Sequence, residues 1–578
     1  MGFYGSRIPP YAERIPLANA IVYREGNYAV AKVWNEQWGR WSKIAKSTDH
    51  TEVWEEALLY ALSKFGRAVV RGMGEFDLYD QISLYQKLDP GAYELAILGN
   101  VKFNVKLSSV GYPNGVISFP PWLDWTDPST YIDLFIEGIT FDETDLPSFM
   151  STDDINKLVA IDCSIARRVV VKNSKIIGTR GYYIWTRCRD DAYIYTENLT
   201  LHIPSTYDGL DAHIGLWNGY SPTRVHVNTI FMDERNTPPS TSTTFIFGLP
   251  DNSTVYEYHN RLFVVDKLRA RGMLGVILQY YRDSTNTKQR KGGLVILRDI
   301  DVEITESSPQ HYGLLSFEQV GSNTYAPIMP KVVLENWRVV APETVIDPKK
   351  LPSILLSIQG MYPSMIVMRN IKLENVRCKV TDTTSRFHLI SHGSPAGMSE
   401  EPLIIDSIYA KLYYDADYAN IGINSKNRVQ IVKNIRLYAE SPPNPFALNI
   451  FTKDNETVYI LIDALFNPDG NVNFNTSGAT FNVDMKIKGL LKTTVYAGTL
   501  KLYKNSGTAK FSGDGTTTQF IIPHKLVSVP SKFAVTPGSA DAAGDFYITV
   551  DDTNIYVNYL NAPPSGTNNV ILHWYAEV

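Results

Sequence analysis

The chain has 578 residues, with 55 Lys and Arg against 60 Asp and Glu, and a formal net charge of −5. The basic cluster Lys288-Gln-Arg-Lys291 is short, so composition does not favour a nucleic-acid partner. No apolar run reaches the roughly 18 residues of a membrane span, and the N-terminal residues lack the pattern of a secretory signal peptide. We therefore expect a soluble protein without membrane insertion; if it works outside a cell, it would leave by a route other than ordinary secretion.

The first 46 residues predict a small β unit. Residues 19–32 hold two strand-like runs on either side of Glu25-Gly-Asn27, which is the pattern of a β-hairpin. A segment with Trp34, Trp38 and Trp41 follows. We expect residues 1–46 to pack on the end of the next domain or to join it to something larger.

Residues 47–90 contain a helix with clear capping residues. The segment Asp49-His-Thr-Glu52 has the form of a capping box, apolar residues follow at helical spacing, and Gly66 stands where the helix would stop. A solenoid needs a cover over the apolar interior of its first coil. The sequence therefore predicts that this helix is the lid of a solenoid; the alternative is an ordinary surface helix.

A recurring pattern occupies residues 91–503, and Val429-Gln-Ile-Val-Lys-Asn-Ile-Arg-Leu437 is its clearest copy. A central Asn or Asp is followed by apolar residues one and three positions on, which indicates half-buried strands meeting at a corner. Asn and Asp tolerate the dihedrals of a corner, and stacked Asn side chains hydrogen-bond to one another. The aligned corner positions are Asn100, Gly138, Asn173, Asn198, Thr229, Lys267, Asp299, Asn336, Asn370, Ser407, Asn434 and Asp463.

This ladder predicts an all-β protein whose central domain is a right-handed parallel β-helix. The corners are irregularly spaced, which a β-helix tolerates because the loops between its strands vary in length. The alternatives are a β-sandwich and a propeller, although propeller blades repeat every ~40–45 residues with a signature that is absent here. Asn198 also begins an N-x-S/T triplet; as a corner residue we expect it to point inward and to be a poor glycosylation acceptor.

The N-terminal region resembles that of pectin-lyase-fold proteins, and of viral tailspikes in particular. The resemblance rests on the glycine-containing hairpin, the Asp-led helix and Ala68-Val-Val-Arg-Gly-Met-Gly-Glu-Phe-Asp77 before the first coil. It extends by pattern over residues 19–490. Gly72-Met-Gly74 replaces the Pro-Gly-Thr-Tyr-like turn that is usual at this point.

Candidate site residues lie where the ladder is interrupted. Many tailspikes of this fold cleave glycans with two carboxylates about 5–9 Å apart, and aromatic side chains stack on sugar rings. The candidate carboxylates are Asp190, Asp191, Asp208, Asp211, Asp233 and Glu234, and the candidate glycan-binding aromatics are Tyr182, Tyr183, Trp185, Trp217, Tyr220, Trp122 and Trp125. Acidic residues are also expected on the solvent face of any solenoid, so an ordinary surface role stays open for the carboxylates.

Residues 504–578 predict a separate C-terminal β-sandwich. Lys504-Asn-Ser-Gly-Thr508 is polar and predicts a linker, and short alternating strands with Gly and Pro turns follow. Ser512-Gly-Asp-Gly-Thr-Thr517, Val550-Asp-Asp-Thr-Asn-Ile555 and Ala562-Pro-Pro-Ser-Gly-Thr-Asn-Asn569 resemble a module on surface proteins of archaeal viruses. With the ladder, they make the chain similar to tailspikes of spindle-shaped archaeal viruses.

That resemblance implies a homotrimer on the virion tail, exposed to the extracellular medium, with tail or baseplate proteins and a host cell-surface glycan or glycoprotein as partners. Two alternatives remain open: a polysaccharide depolymerase of the same fold, and a purely structural baseplate protein. The sequence has no nucleophile elbow, phosphate loop or paired Cys/His motif. We therefore expect neither a cofactor nor a metal.

Overall fold

The structure is a computed structural model. It describes residues 18–84, 87–109, 115–118, 129–146, 158–162, 166–178, 181–185, 193–203, 214–218, 224–233, 245–251, 262–272, 276–283, 293–304, 314–320, 329–341, 345–346, 353–359, 364–378, 387–392, 401–414, 420–424, 430–440, 447–452, 458–467, 471–476, 481–488, 492–495, 500–502, 504–526 and 528–578.

The chain forms two compact units, one made mainly of residues up to Met361 and the other mainly of residues from Tyr362 onward. From Arg67 onward, long and short strands alternate along the first unit, and they pair in parallel with their counterparts in the next coil. The second unit repeats this construction before its last six strands. Parallel strands joined by successive turns of one hand define a right-handed parallel β-helix, as the ladder predicts.

The long strands of the first unit are β4 (Arg67–Leu78), β6 (Ala92–Val105), β8 (Tyr131–Asp142), β10 (Ala166–Lys172), β11 (Lys175–Ile177), β13 (Tyr193–Ile203), β15 (Arg224–Asp233), β17 (Leu262–Gly272), β19 (Leu294–Ile304), β21 (Lys331–Val340) and the short segment β22 (Val345–Ile346). Its short strands are β5 (Ile82–Ser83), β7 (Gly115–Ser118), β9 (Val159–Asp162), β12 (Gly181–Trp185), β14 (Ile214–Asn218), β16 (Phe245–Asp251), β18 (Val276–Asp283), β20 (Leu315–Val320) and β23 (Ser353–Gln359).

The second unit contains most of β24 (Ile366–Cys378) and the long strands β26 (Leu403–Tyr414), β28 (Gln430–Glu440), β30 (Val458–Asn467), β32 (Phe481–Lys488) and β34 (Leu500–Leu502). Its short strands are β25 (Phe387–His392), β27 (Asn420–Asn424), β29 (Ala447–Thr452), β31 (Asn471–Thr476) and β33 (Lys492–Val495).

A residue with positive φ bends each of several long strands and resets its alternation. In β21, Val332 and Leu334 point inward before Asn336, and Trp337 and Val339 point inward after it. The change of phase leaves Asn336, with φ of 57°, exposed at the corner. The same conformation occurs at Gly138, Asn173, Asn198, Asp299, Asn370 and Ser407.

Side chains at these corners bond from coil to coil. Asn198 Nδ2 donates to Asn173 Oδ1 at 3.0 Å, Asn173 Nδ2 donates to Glu137 Oε1 at 3.1 Å, and Asn336 Nδ2 donates to Asp299 Oδ1 at 2.9 Å. The expectation that Asn198 points inward is wrong: its side chain is exposed. A corner with positive φ turns two consecutive residues outward, and the flanking apolar residues fill the interior.

Strand register locates the corners whose side chains the structure does not describe. Ile435 pairs with Ile408 and with Ala464, so Asn434 and Asp463 occupy the same rung as Ser407. In β15 the rung is one residue earlier than the sequence alignment placed it, because Asn228 lies opposite Lys267 while Thr229 lies opposite Leu268. In β6 the positive φ falls on Gly99, next to Asn100.

The N-terminal hairpin is part of a three-stranded sheet that joins the first coil. Strands β1 (Ala20–Glu25), β2 (Tyr28–Asn35) and β3 (Arg40–Ser47) are antiparallel, and β1 also pairs in parallel with β4. The predicted turn at Gly26 is present, with φ of 65°. The tryptophan-containing segment is thus the turn and the ends of β2 and β3.

Helix α1 (His50–Phe65) covers the first coil, as predicted for the solenoid lid. Asp49 caps it by accepting from the backbone N–H groups of Thr51 and Glu52, while its own N–H donates to Ser47 Oγ rather than to Glu52. Trp54 is fully buried and meets Phe76 and Phe103 edge-on at 5.3 and 5.1 Å between ring centroids. A Cβ at Gly72 would lie 2.6 Å from the Trp54 ring, so only glycine at this position leaves room for the Trp54 side chain of the lid helix.

Residues 504–578 form two three-stranded antiparallel sheets around a common apolar core, as predicted for a sandwich. One sheet has the order β35 (Lys504–Gly513), β40 (Gly566–Glu577), β37 (Lys532–Pro537), and the other has the order β36 (Gln519–Pro523), β39 (Asn554–Tyr559), β38 (Phe546–Val550). A 3-10 turn spans Ala540–Ala542. The prediction of a linker at 504–508 is wrong, because these polar residues begin an edge strand; edge strands are often polar.

Candidate functional site

The predicted carboxylates fall largely outside the described residues. Asp190, Asp191, Asp208, Asp211 and Glu234 lie outside them, and so do the aromatic candidates Tyr220, Trp122 and Trp125. Asp233 is the last residue of β15, where the structure describes the backbone.

Four of the predicted aromatic residues lie on two adjacent strands. Tyr182, Tyr183 and Trp185 belong to β12, and Trp217 belongs to β14, which pairs with β12 in parallel. The register sets Trp217 directly beside Ile184. The fold thus places these four residues in neighbouring coils, although Trp217 is 32–35 positions away from the β12 aromatics in sequence.

A second surface, which the sequence did not single out, is the outer face of the β36–β39–β38 sheet. Alternate residues of these strands fill the sandwich core, among them Phe520, Ile555 and Val557. The residues between them point outward and carry no formal charge. We call this surface the neutral face: Gln519, Ile521, Pro523, Tyr547, Thr549, Asn554, Tyr556 and Asn558.

Hydrogen bonds connect the polar groups of the neutral face. Gln519 Nε2 donates to Asn558 Oδ1 at 2.8 Å, and Asn558 Nδ2 donates to Thr549 Oγ1 at 3.4 Å. Tyr547, 58% exposed, lies opposite Asn558, and Ile521, 46% exposed, lies opposite Tyr556. Aromatic, aliphatic and amide groups therefore alternate over the solvent-facing side of this sheet.

A carboxylate at the margin fixes one ring of this face. Tyr556 OH donates to Asp551 Oδ2 at 2.6 Å, and the backbone N–H groups of Thr553 and Asn554 donate to Asp551 Oδ1 at 2.8 and 2.7 Å. The hydrogen bond from Tyr556 and these two N–H groups hold the pKa of Asp551 well below its ordinary value. The hydrogen bond to Asp551 in turn raises the pKa of Tyr556.

The other sheet of the sandwich presents a different outer face. Lys504 and Lys532 both lie opposite Glu577, and His573 lies between Thr508 and Thr536. Thr508 Oγ1 and His573 Nδ1 are 2.9 Å apart. Charged side chains and a histidine thus occupy one side of the sandwich, whereas the three strands of the other contain no Lys, Arg, His, Asp or Glu.

A third surface is the outer side of the N-terminal sheet, where aromatic and basic side chains are interleaved. Lys32 Nζ lies 5.1 Å from the Tyr23 ring centroid and Lys46 Nζ lies 4.9 Å from that of Tyr28. Trp38, 59% exposed, carries the Arg40 guanidinium over its ring. We call this surface the basic-aromatic face: Tyr23, Tyr28, Lys32, Trp34, Trp38, Arg40, Trp41, Lys43 and Lys46.

Among the described residues, no group of three or more His, Cys, Asp or Glu residues could hold a metal ion. No described helix is long and apolar enough to cross a membrane.

Several solved structures are similar to this chain. A tailspike protein double mutant of E. coli bacteriophage HK620 has 10% identity and a TM-score of 0.44, with 92% of this chain and 90% of that chain covered. The gp49 tailspike from Pseudomonas phage LKA1 has 10% identity and a TM-score of 0.28, covering 90% and 91%. The Gp54 tailspike of Acinetobacter baumannii bacteriophage AP22, in complex with capsular saccharide, has 9% identity and a TM-score of 0.27, covering 92% and 94%. No protein-family model and no curated protein matches the chain.

Proposed function

We propose that the protein is a tailspike-type attachment protein that binds glycans or glycoprotein on the surface of a host cell. The observation that carries the proposal is the placement of Tyr182, Tyr183, Trp185 and Trp217 on two adjacent parallel strands. Sugar rings present C–H groups that stack on aromatic rings, and a β-helix offers such stacking positions at fixed coil spacing.

The finer parts of the proposal rest on the sequence resemblance. The C-terminal segments 512–517, 550–555 and 562–569 resemble a module of archaeal virus surface proteins, which points to the tail of a spindle-shaped archaeal virus. A homotrimer exposed to the extracellular medium is the assembly that tailspikes of this fold adopt. The N-terminal residues 1–46 would then face the virion tail or baseplate.

The basic-aromatic face supports the N-terminal attachment. Lys32 and Lys43 lie opposite each other on β2 and β3, whereas Lys46 forms an ion pair with Glu25. Trp34 and Trp41 are about one-third exposed at 37% and 36%. Exposed aromatics with neighbouring cations are typical of surfaces that contact another macromolecule. An acidic surface of a tail protein is the complementary partner.

Binding of the purified full chain to host cells or to their isolated envelope glycans tests the proposal. We expect Trp217→Ala to weaken binding about tenfold, since one stacked aromatic ring is lost. Trp38→Ala is the matched control, because Trp38 is exposed on a different surface, and it should bind like the wild type.

Two results would contradict this proposal. Equal binding by Trp217→Ala and the wild type would show that β12 and β14 are not part of the binding site. Release of new reducing ends from the envelope glycan would show that the protein is a depolymerase and not only an attachment protein. The residues to substitute would then be the carboxylates Asp190, Asp191, Asp208, Asp211, Asp233 and Glu234.

A further inference from the structure

We infer that the neutral face of the C-terminal sandwich is a separate carbohydrate-binding platform, specific for uncharged polysaccharides. It adds a second site to the proposed function and names its ligand class. The neutral face consists of residues of β36, β38 and β39, with Asp551 at its margin, and includes none of the aromatics of β12 and β14.

The first step is the hydrogen-bonding character of the face. Each of its polar side chains, Gln519, Thr549, Asn554, Tyr556 and Asn558, both donates and accepts hydrogen bonds. A sugar hydroxyl also donates and accepts. The face therefore offers both donors and acceptors to a polyhydroxylated ligand, with Tyr556 as an acceptor only, because its O–H is donated to Asp551.

The second step is the absence of charge. None of the residues in β36, β38 and β39 is Lys, Arg, Asp or Glu. Binding of phosphate, sulfate or carboxylate groups relies on Arg, Lys or helix N-termini. A neutral glycan fits this face better than an anionic one, which would have to give up solvent without gaining a cation.

The third step is the arrangement of apolar surface among the amides. Tyr547 of β38 lies opposite Asn558 of β39, which is two residues beyond Tyr556, so Tyr547 and Tyr556 are diagonal neighbours. Gln519 of β36 lies opposite Asn558 on its other side. Diagonal neighbours on a sheet have Cα atoms about 7–8 Å apart. Two ring surfaces with amide groups beside them suit a chain of pyranose rings, which alternate C–H faces with hydroxyl edges.

The fourth step is that the platform is already ordered. The bonds from Gln519 to Asn558, from Asn558 to Thr549 and from Tyr556 to Asp551 fix side chains that would otherwise rotate freely. Binding then costs less side-chain entropy. A contact surface between copies of the chain would instead be expected to expose a larger apolar centre.

Affinity gel electrophoresis of the full chain tests the inference. Native gels would contain mannan, dextran or laminarin as neutral polysaccharides, and polygalacturonate as an anionic one. We expect retardation by at least one neutral polysaccharide and none by polygalacturonate. Tyr547→Ala and the double variant Gln519→Ala, Asn558→Ala should each raise the dissociation constant about tenfold or more.

Phe533→Ala and Thr536→Val serve as matched controls, since both residues are exposed on β37 of the other sheet. These variants should be retarded like the wild type. Thermal unfolding of all variants must match the wild type, and Tyr547→Phe, which keeps the ring, should retain most of the binding.

Three results would overturn the inference: no retardation by any of the neutral polysaccharides, retardation that Tyr547→Ala leaves unchanged, or retardation by polygalacturonate alone. Loss of self-association in Tyr547→Ala, measured by sedimentation, together with absent glycan binding would assign the face to a subunit interface. Failure of the β12–β14 site is distinguishable, because Trp217→Ala would then leave cell binding unchanged while Tyr547→Ala still abolished retardation by neutral polysaccharide.

Discussion

Two three-stranded sheets near the ends of the sequence present aromatic side chains to solvent in opposite electrostatic settings. On the basic-aromatic face, lysines lie over tyrosine rings, and Trp34 and Trp41 meet edge-on at 5.6 Å. On the neutral face, tyrosines stand among amides and no residue is charged. Exposed aromatic residues alone therefore do not indicate which kind of partner a surface binds; the charge of the side chains between them does. Cations point to an acidic partner, and amides point to a neutral one.

The largest expected effect comes from removing the support beneath the basic-aromatic face. Trp54→Ala should lower the free energy of unfolding of the N-terminal region by about 3–5 kcal/mol, because a fully buried ring is replaced by a cavity. Hydrogen exchange should accelerate in β1–β3 and stay unchanged in β36–β39, which have their own core.

Trp54→Phe is the control for this substitution. The indole N–H of Trp54 is buried without a hydrogen-bond partner, so phenylalanine keeps the aromatic contacts with Phe76 and Phe103 while removing an unsatisfied donor. Its stability should lie within about 1.5 kcal/mol of the wild type. Equal exchange rates in the wild type and Trp54→Ala would show that the N-terminal sheet does not depend on the lid.

A smaller effect is expected at a corner, which should alter neither face. Asn336→Leu should cost about 2 kcal/mol, because leucine tolerates a φ of 57° poorly and the bond to Asp299 is lost. Asn336→Gly keeps the backbone conformation and should cost less. Chemical denaturation measures both; a defect in binding at unchanged stability would mean that the corner has a role in recognition.

Removing positive charge from the basic-aromatic face should weaken binding to anionic ligands only at low salt. The triple variant Lys32→Gln, Lys43→Gln, Lys46→Gln should elute from heparin at lower salt than the wild type, because fewer cations are available and exposed charges are screened as ionic strength rises. Tyr547→Ala should elute with the wild type. If the triple variant is unaltered, the lysines do not determine the affinity of this face for anionic partners.

The smallest expected effect is a pH dependence at the margin of the neutral face. The folded-state pKa of Asp551 is depressed, so its contribution to stability is present at pH values above about 4, the unfolded value, and is lost as the pH falls toward the folded value. Asp551→Asn should therefore lower the melting temperature at pH 7, and the difference from the wild type should shrink as the pH falls below about 4. Asp552→Asn, at an exposed position, should melt like the wild type; a difference for Asp551→Asn that grew on acidification would contradict this reasoning.

Local signals were sufficient to predict the helix and many of the corners. Asp49 and Gly66 determine the ends of α1 because the capping groups lie within four residues of the backbone groups that they satisfy. Asn173, Asn198 and Asn336 lie at corners because an Asn side chain can hydrogen-bond to nearby backbone groups, so the residue tolerates a positive φ. The outward direction of Asn198 was not evident, since it depends on the change of alternation that the corner itself introduces.

Features that depend on pairing were harder to predict. The polar segment 504–508 forms a strand only because β40 lies beside it. The neutral face needs the register that brings Gln519, Asn558 and Tyr547 into one row, although the lack of charged residues in each of β36, β38 and β39 could have been noticed in the sequence. The grouping of Trp217 with the β12 aromatics needed the coil-to-coil pairing, which no local pattern specifies.

The double pairing of β1 has a consequence for how the protein avoids polymerising. The first coil of a solenoid offers unpaired backbone groups to any strand of another molecule, which would allow fibre growth from its end. Here β1 occupies the edge of β4, and the open edge passes through β2 to β3. Arg40 and Lys43 lie along β3, and Lys46 is ion-paired with Glu25. Repulsion between the cations of two such edges disfavours joining them.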